Sequence, residues 1–175
     1  MSTTSSREEL LATIEQEAFA LERRYQGCSR CVLIPLQKHL GLANDNVARA
    51  SAPLAGGIAL SGNTCGALLG GMLAVGLCVA DNDLENGQAF LDTMGASFRL
   101  MRRFQQEFGA TTCRELQTER LGAYYNMASP DEYKAFVKAG GYDVCSTLVG
   151  KASRLAADFL LEMSDEGLLR VKLAV

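Results

Sequence analysis

The stretch Gly62-Asn63-Thr64-Cys65-Gly66-Ala67-Leu68-Leu69-Gly70 places a cysteine where an uncharged, glycine-rich helix is expected to begin. The helical pattern runs from about Thr64 to Val79, and Gly66, Gly70 and Ala74 recur every fourth residue on one face. A glycine inside a helix costs about 1 kcal/mol, and close approach of another backbone or of a cofactor can offset that cost. We therefore expect this helix to be central and buried.

The sequence on either side is helical in pattern over nearly its whole length. Gly27 and Gly41 are placed to end two helices, the second of which begins at about Cys28. A long helix follows the glycine-rich one and ends at Gly109, and its apolar stripe is expected to face the core. That stripe consists of Leu91, Met94, Phe98, Met101 and Phe108. The fold class predicted for residues 1–175 is all-α, a single-domain multi-helix bundle.

Three further cysteines also stand where helices are expected to begin. Cys113 lies in a capping box that starts at Thr112, and Cys145 follows Asp143, which is the expected cap of the last helix. A helix start presents free N–H groups and partial positive charge, which stabilise a thiolate. Four such positions, far apart in sequence, predict one assembled site. Its expected metal ligands are Cys28, Cys65, Cys113 and Cys145.

The expected donors are soft, since four thiolates with no histidine nearby select zinc or an iron–sulfur cluster. A structural zinc site usually draws on two close-spaced Cys-x-x-Cys knuckles, whereas these cysteines belong to separate helices. Gly66 would let backbone N–H groups approach the sulfurs of a cluster, and such bonds tune its potential. Gly66 and Thr64 are therefore expected to be cofactor-binding residues.

The remaining two cysteines are weaker candidates for the same site. Cys31 forms a Cys-x-x-Cys with Cys28, and residues three apart share a helix face, which suits metal ligation or a redox dithiol. Val32 follows it in place of a histidine, which excludes c-type haem attachment. Cys78 lies among apolar residues near the end of the central helix, where a small buried side chain is the simpler interpretation.

Composition narrows the classes of protein. The 175 residues carry a net charge of −3 without a dense Lys/Arg cluster, which argues against nucleic acid as a partner. The N-terminus shows no secretion signal, so we expect a cytoplasmic protein with reduced thiols. No charged residue occurs from Ala50 to Ala80, but the apolar part from Cys65 is too short for a membrane span. With His39 as the single histidine, histidine-based catalysis is disfavoured.

The pattern as a whole resembles a known family, the redox-active proteins named for their C–GCAxxG–C–C cysteine pattern. The resemblance runs from about Gly27 to Leu161. It is carried by segments 28–33, 56–58, 64–70 and 104–116, and by Cys145 ahead of an amphipathic helix. Thr64 departs from the pattern, which has glycine before the cysteine, and Cys31 and Cys78 are additions to it.

The resemblance implies a redox role in mostly anaerobic prokaryotes, and the family's cysteines fall on the four residues chosen above. A similar cysteine-bearing domain occurs in split-Soret cytochromes, where it resembles an iron–sulfur module. This chain lacks the haem motifs, so only the cluster part would carry over. The two additional cysteines could give a variant ligand set or a dithiol beside the cluster.

Three functions from different classes follow. The first is an iron–sulfur protein that transfers electrons to an unidentified redox partner. The second is a thiol–disulfide or persulfide oxidoreductase that uses Cys28 and Cys31, or Cys65 activated by its helix N-terminus, and it requires a thiol with a lowered pKa. The third is a structural zinc or metal-sensing module. Whether the chain is an enzyme stays open.

A homodimer is also a candidate state. The Gly/Ala face of the central helix could pack against a second copy of the chain, although an internal neighbour could use the same face.

Overall fold

The chain is all-α, as the sequence predicts, in a computed structural model that describes residues 3–42 and 44–175. Within those ranges there are eight α-helices and a short 3₁₀ turn at Ala52–Leu54, and no strand. The helices are α1 (Thr3–Tyr25), α2 (Cys28–Leu40), α3 (Asp45–Ala50), α4 (Gly66–Val79), α5 (Gly87–Phe108), α6 (Cys113–Leu121), α7 (Pro130–Lys138) and α8 (Gly141–Asp165).

Helix α8 is the scaffold on which most of the other helices pack. It lies along α1 and also contacts α2, α4, α5, α6 and α7. Gly150 allows the close approach to α1, because a Cβ there would stand 3.0 Å from the carbonyl oxygen of Glu15. The same seam carries ion pairs, of which Arg7 Nη2 to Asp158 Oδ1 at 2.9 Å is one. Together, α1 and α8 form a rigid wall for the rest of the bundle.

The glycines of α4 account for its central place. A Cβ on Gly70 would overlap the carbonyl oxygen of Ser29 in α2, and a Cβ on Gly71 would meet Ala156 Cβ and Leu100 Cδ2, each at 3.2 Å. Another backbone does approach α4 closely, as expected, and it belongs to α2 of the same chain. The face proposed above for a homodimer is taken by α2, α5 and α8, so a second copy cannot pack there.

The other side of α4 is less enclosed than the sequence suggests. Nine residues of the helix are buried, but its remaining face is only half-buried. That half-buried face is formed by Leu69, Met72, Leu73, Gly76 and Leu77. In the described part of the chain, no helix combines the length and the apolar composition that a membrane crossing requires.

The expected core stripe of α5 is wrong for most of its members. Leu91, Met94 and Phe98 are 62%, 48% and 59% exposed, and Met101 is half-buried. Of the predicted stripe, only Phe108 is buried. The helix instead turns inward a face made of Ala89, Ala96, Leu100, Phe104 and Phe108. The physical reason is contact with α4, since Gly71 of α4 leaves room for Leu100, whose Cδ2 would stand 3.2 Å from a Cβ at that position.

The C-terminal tail fastens the ends of two helices, although it has no regular structure itself. The N–H of Arg170 donates to the carbonyl oxygen of Cys78 at 2.8 Å, and the N–H of Ala174 donates to that of Leu40 at 3.1 Å. Leu173 between them is buried. The tail therefore holds the C-terminal ends of α4 and α2 together.

Substitutions on the two faces of α5 should differ sharply in their effect on the free energy of unfolding. Phe104 is 1% exposed, so Phe104→Ala should lower the free energy of unfolding by about 3–5 kcal/mol. Phe98→Ala on the outer face should change it by no more than about 0.5 kcal/mol. Urea unfolding followed by circular dichroism measures both values. Equal losses would mean that the outer stripe is in fact covered.

Candidate cofactor site

A cavity of about 110 Å³ lies where the starts of α2, α4, α6 and α8 meet one side of α1. All four predicted ligands, Cys28, Cys65, Cys113 and Cys145, contribute to its lining. The structure therefore brings together the cysteines that the sequence assigns to one site. That they bind a cofactor stays a prediction.

Three of the four cysteines stand at helix starts as expected. Cys28 and Cys113 are the first residues of α2 and α6, and Cys65 is the N-cap of α4. Cys145 differs, because α8 begins four residues earlier than it, after Gly140 in a left-handed conformation. Asp143 is therefore not the cap, and the placement of Cys145 in the first turn is wrong.

Backbone hydrogen bonds pair the loop that precedes Cys65 with the loop that precedes Cys113. The N–H of Cys65 donates to the carbonyl oxygen of Thr111 at 2.8 Å, and the N–H of Cys113 donates to that of Asn63 at 2.7 Å. Thr64 pairs with Thr112 between these bonds as an isolated antiparallel bridge. The starts of α4 and α6 are thereby fixed next to each other.

Gly66 brings the third cysteine to the same place. A Cβ on Gly66 would overlap Sγ of Cys28 and would stand 2.9 Å from the carbonyl oxygen of Leu54. Only glycine allows the start of α2 to pack so closely on the start of α4. Gly66 and Thr64 were expected beside the cofactor, yet neither lines the cavity; they shape the backbone around Cys65.

The segment between the 3₁₀ turn and α4 is a left-handed turn on the cavity wall. Five consecutive residues have positive φ, with Ile58, Ala59 and Leu60 at 62°, 50° and 64° after two glycines. A residue other than glycine in this conformation costs about 1–2 kcal/mol. Gly56 and Leu60 of this turn line the cavity. Backbone strain of this kind is characteristic of functional sites.

Burial raises the pKa of all four cavity thiols. It raises that of Cys65 to about 12, with neighbouring Cys113 adding to the effect. Those of Cys28 and Cys145 lie well above the ordinary value, because burial and the charge of nearby Cys65 both oppose ionisation. That of Cys113 is raised by burial as well. The N–H groups at the start of α4 do stabilise the thiolate of Cys65, as expected, but burial raises the pKa by more than they lower it.

Hydrogen-bond donors nevertheless face the sulfurs. Backbone N–H of Gly56 donates to the thiol of Cys28 and lowers its pKa, although less than burial raises it. The N–H groups of Ala67 and Leu68 act on Cys65 in the same sense without completing a capping bond. Gln117 Nε2 donates to Sγ of Cys113 at 3.4 Å. Such donors are suited to sulfurs that carry negative charge.

The two weaker cysteine candidates do not reach the cavity. Cys78 is fully buried in α4, and burial alone raises its pKa to about 12. Cys31 is buried behind the cavity wall, where its thiol is hydrogen-bonded to the carboxyl group of Glu22. Glu22 itself lines the cavity, and sequence reasoning missed it because a glutamate in α1 is indistinguishable from the solvent-facing ones around it.

In the described residues, no set of potential metal donors converges on one point, and this includes the four cavity cysteines. Across 3–42 and 44–175, no group of three or more His, Cys, Asp and Glu side chains is arranged to hold a single metal ion. All six cysteines are free. His39 lies elsewhere and contacts Glu17 Oε2 through Nε2 at 2.7 Å. The thiols thus line a cavity and are not gathered around one point.

Comparison with known proteins identifies the family of the chain. A family model described as "Putative redox-active protein (C_GCAxxG_C_C)" matches residues 26–159, and the chain belongs to this family. No curated protein and no solved structure matches the chain. The matched stretch contains all four cavity cysteines and the left-handed turn.

The left-handed turn gives a matched pair of substitutions. In Gly57→Ala the new Cβ would stand 2.6 Å from Asn63 O and 2.7 Å from Cys113 Cβ, so we expect a loss of about 2–4 kcal/mol. Exposed Ala59 has φ of 50°, so Ala59→Gly should stabilise by about 0.5–1 kcal/mol. Urea unfolding of the two variants tests this, and a destabilising Ala59→Gly would contradict the left-handed geometry.

The raised pKa values predict how stability depends on pH. An unfolded thiol has a pKa of about 8.5, whereas burial raises that of Cys65 to about 12. Above about pH 8.5 the unfolded chain loses a proton that the folded chain keeps, so the free energy of unfolding falls as pH rises. Below that pH the contribution is fully present. In the metal-free protein, Cys65→Ala should therefore show a flatter decline between about pH 8 and pH 10.

Leu73→Ala in the half-buried face of α4 is the control, since it removes packing without removing a titrating group. Its decline with pH should run parallel to that of the wild type. If Cys65→Ala is also parallel, burial does not raise the pKa of this thiol.

Proposed function

We propose that the cavity binds an iron–sulfur cluster through the thiolates of Cys28, Cys65, Cys113 and Cys145, and that the protein transfers electrons. The observation that supports this most directly is the convergence of four thiols from four helices on one cavity, with no histidine in its lining. Four cysteine thiolates are the usual ligand set of iron–sulfur clusters. The family to which the chain belongs is described as redox-active.

The charge balance of the cavity supports a cationic occupant. Each of these thiols resists ionisation because it is buried and because its neighbours would also be negative. Arg120 is in the lining and lowers the pKa of Cys145, but it does so less than the other groups raise it. Several thiolates can therefore coexist here only if positive charge enters with them, and the iron ions of a cluster would bring it.

The chain's own groups suit a cofactor whose charge changes. Gly56 N–H and Gln117 Nε2 already donate to the sulfurs of Cys28 and Cys113, and the N–H groups at the start of α4 face Cys65. Donors of this kind stabilise the more negative state and raise the reduction potential. A bound cluster would supply one-electron transfer. Apolar side chains such as Leu116, Phe136 and Leu148 line the remaining wall and restrict water.

The thiol–disulfide alternative has less support from the geometry. It requires a thiol with a lowered pKa, yet burial raises the pKa of every cysteine in the chain. Cys31, the expected partner of Cys28, faces Glu22 and does not line the cavity. The zinc alternative would need the sulfurs to move together around one ion.

The test is to measure iron, acid-labile sulfide and the visible spectrum of protein prepared or reconstituted without oxygen. We expect matched iron and sulfide with charge-transfer bands. The Cys65→Ser variant should bind less cluster than the wild type by a factor of about ten or more. Substitution of residues that only hydrogen-bond to metal ligands already lowers metal affinity by roughly 10–100-fold. Cys78→Ser is the matched control, since Cys78 is a buried cysteine of the same helix that lies away from the cavity.

Each other outcome has a defined meaning. Protein without iron or sulfide after reconstitution overturns the proposal. Stoichiometric zinc without sulfide would favour the metal-binding module, and fast iodoacetamide labelling at neutral pH would favour the dithiol enzyme. Equal loss of cluster in both serine variants would indicate misfolding and would remove the assignment of Cys65 as a ligand.

A further inference from the structure

Glu22 is the acidic residue that lies in the wall of the cysteine cavity. It belongs to α1 and is 3% exposed, in a helix whose other glutamates are half-buried or exposed. The matched family region begins at residue 26, so this carboxyl group is outside the shared cysteine pattern. Its burial on the cavity wall therefore calls for an explanation from this chain's own structure.

The carboxyl group is held on one side and free on the other. The backbone N–H of Gly27 and the thiol of Cys31 both donate to it. Its Oε2 atom is buried and has no hydrogen-bond partner. An unpartnered buried acceptor destabilises the folded state, and a charged one does so much more.

No described side chain forms a hydrogen bond with Oε2. Arg120 also lines the cavity, and its Nη2 donates to the carbonyl oxygen of Phe108 at 2.8 Å, while its Nη1 is buried without a hydrogen-bond partner, 3.6 Å from Glu119 Oε2. No ion pair joins Arg120 to Glu22 in residues 3–42 and 44–175. A partner for Oε2 must therefore come from an occupant of the cavity.

We propose that Oε2 of Glu22 is a fifth protein donor to the bound cofactor, which adds an oxygen to one iron that a cavity cysteine already binds and so expands the coordination of that iron. This inference rests on the proposed function. Burial favours the protonated form of Glu22, so the proton must leave when the cofactor binds. The ionised oxygen then offers only lone pairs, and in a cluster the irons accept lone pairs whereas the sulfides do not. The loaded site would have a mixed sulfur and oxygen ligand set, and it would differ spectroscopically from one made of thiolates alone.

The same geometry gives Cys31 a role as a positioning residue. Its thiol donates to the carboxyl group from behind, together with the N–H of Gly27, and so fixes the direction of Oε2. This accounts for a Cys-x-x-Cys of which only the first member reaches the cavity. Groups that orient a metal ligand in this way typically affect metal affinity by about 10–100-fold.

The experiment compares wild type, Glu22→Gln and Cys31→Ala after anaerobic reconstitution with ferrous iron and sulfide. Glu22→Gln should shift the electron paramagnetic resonance spectrum of the reduced protein and release iron to a chelator roughly tenfold faster. Cys31→Ala should change both in the same direction by a smaller factor. Glu15→Gln is the matched control, since Glu15 is a half-buried residue of α1 that lies outside the cavity.

A measurement on the metal-free protein separates ligation from structure. Because Oε2 has no partner there, Glu22→Gln should unfold at a temperature no lower than the wild type. A purely structural glutamate would instead make the metal-free variant less stable. Loading should raise the unfolding temperature of the wild type more than that of the variant, since binding to the native state alone stabilises it.

The two proposals fail in different ways. A wild type that takes up no iron or sulfide overturns the cluster and this inference with it. A loaded wild type whose resonance spectrum and iron release match those of Glu22→Gln overturns the role of Glu22 alone. A loss of stability confined to the metal-free variant would also overturn it, because that result identifies Glu22 as a structural residue.

Discussion

The close packing of the start of α2 on the start of α4 is the constraint on which the rest of the site depends. Gly66 leaves room for Sγ of Cys28 and Gly70 leaves room for the backbone of Ser29, so the first cysteine is fixed beside Cys65. Ser29 extends the constraint, because its hydroxyl donates to the carbonyl oxygen of Ser51 at 2.8 Å just before the 3₁₀ turn. The chain that leaves this turn must then return to α4 within a few residues, and it does so through the left-handed segment. The close packing of α2 on α4 therefore accounts for the strained segment and for the position of the thiols.

Strain in that segment is maintained by bonds on both sides of it. The N–H groups of Gly62 and Asn63 donate to the carbonyl oxygens of Gly56 and Gly57 at 3.1 and 3.0 Å, and Asn63 in turn accepts from Cys113. A turn that is unfavourable by itself is thus tied to the start of α6. In this conformation the backbone N–H of Gly56 donates to the thiol of Cys28.

Much of this could be predicted from the sequence, and the failures share a cause. Helix starts and stops depend on neighbours along the chain, so Gly41, Gly109 and the starts at Cys28 and Cys113 were predictable, and with them most of the site. The inward face of α5 was not, because two apolar faces compete on that helix and only the distance to α4 selects the one with Ala96 and Leu100. Glu22 was missed for the same reason. Its burial results from elements distant in sequence that share the cavity wall with it, and these are not visible in the local pattern of α1.

The cavity collects five acidic groups, four thiols and one carboxyl, and only Arg120 among its lining residues is cationic. Without an occupant such a site can persist only if most of these groups keep their protons, which is the direction in which burial moves the pKa of each of them. An occupant that binds thiolates must therefore displace protons and bring positive charge in the same event. An apolar ligand would fill the space beside the apolar wall but would leave Oε2 without a partner. Under the proposed function the irons of a cluster would bring this charge, and several irons bridged by sulfide would suit four sulfurs spread around a cavity better than one ion would.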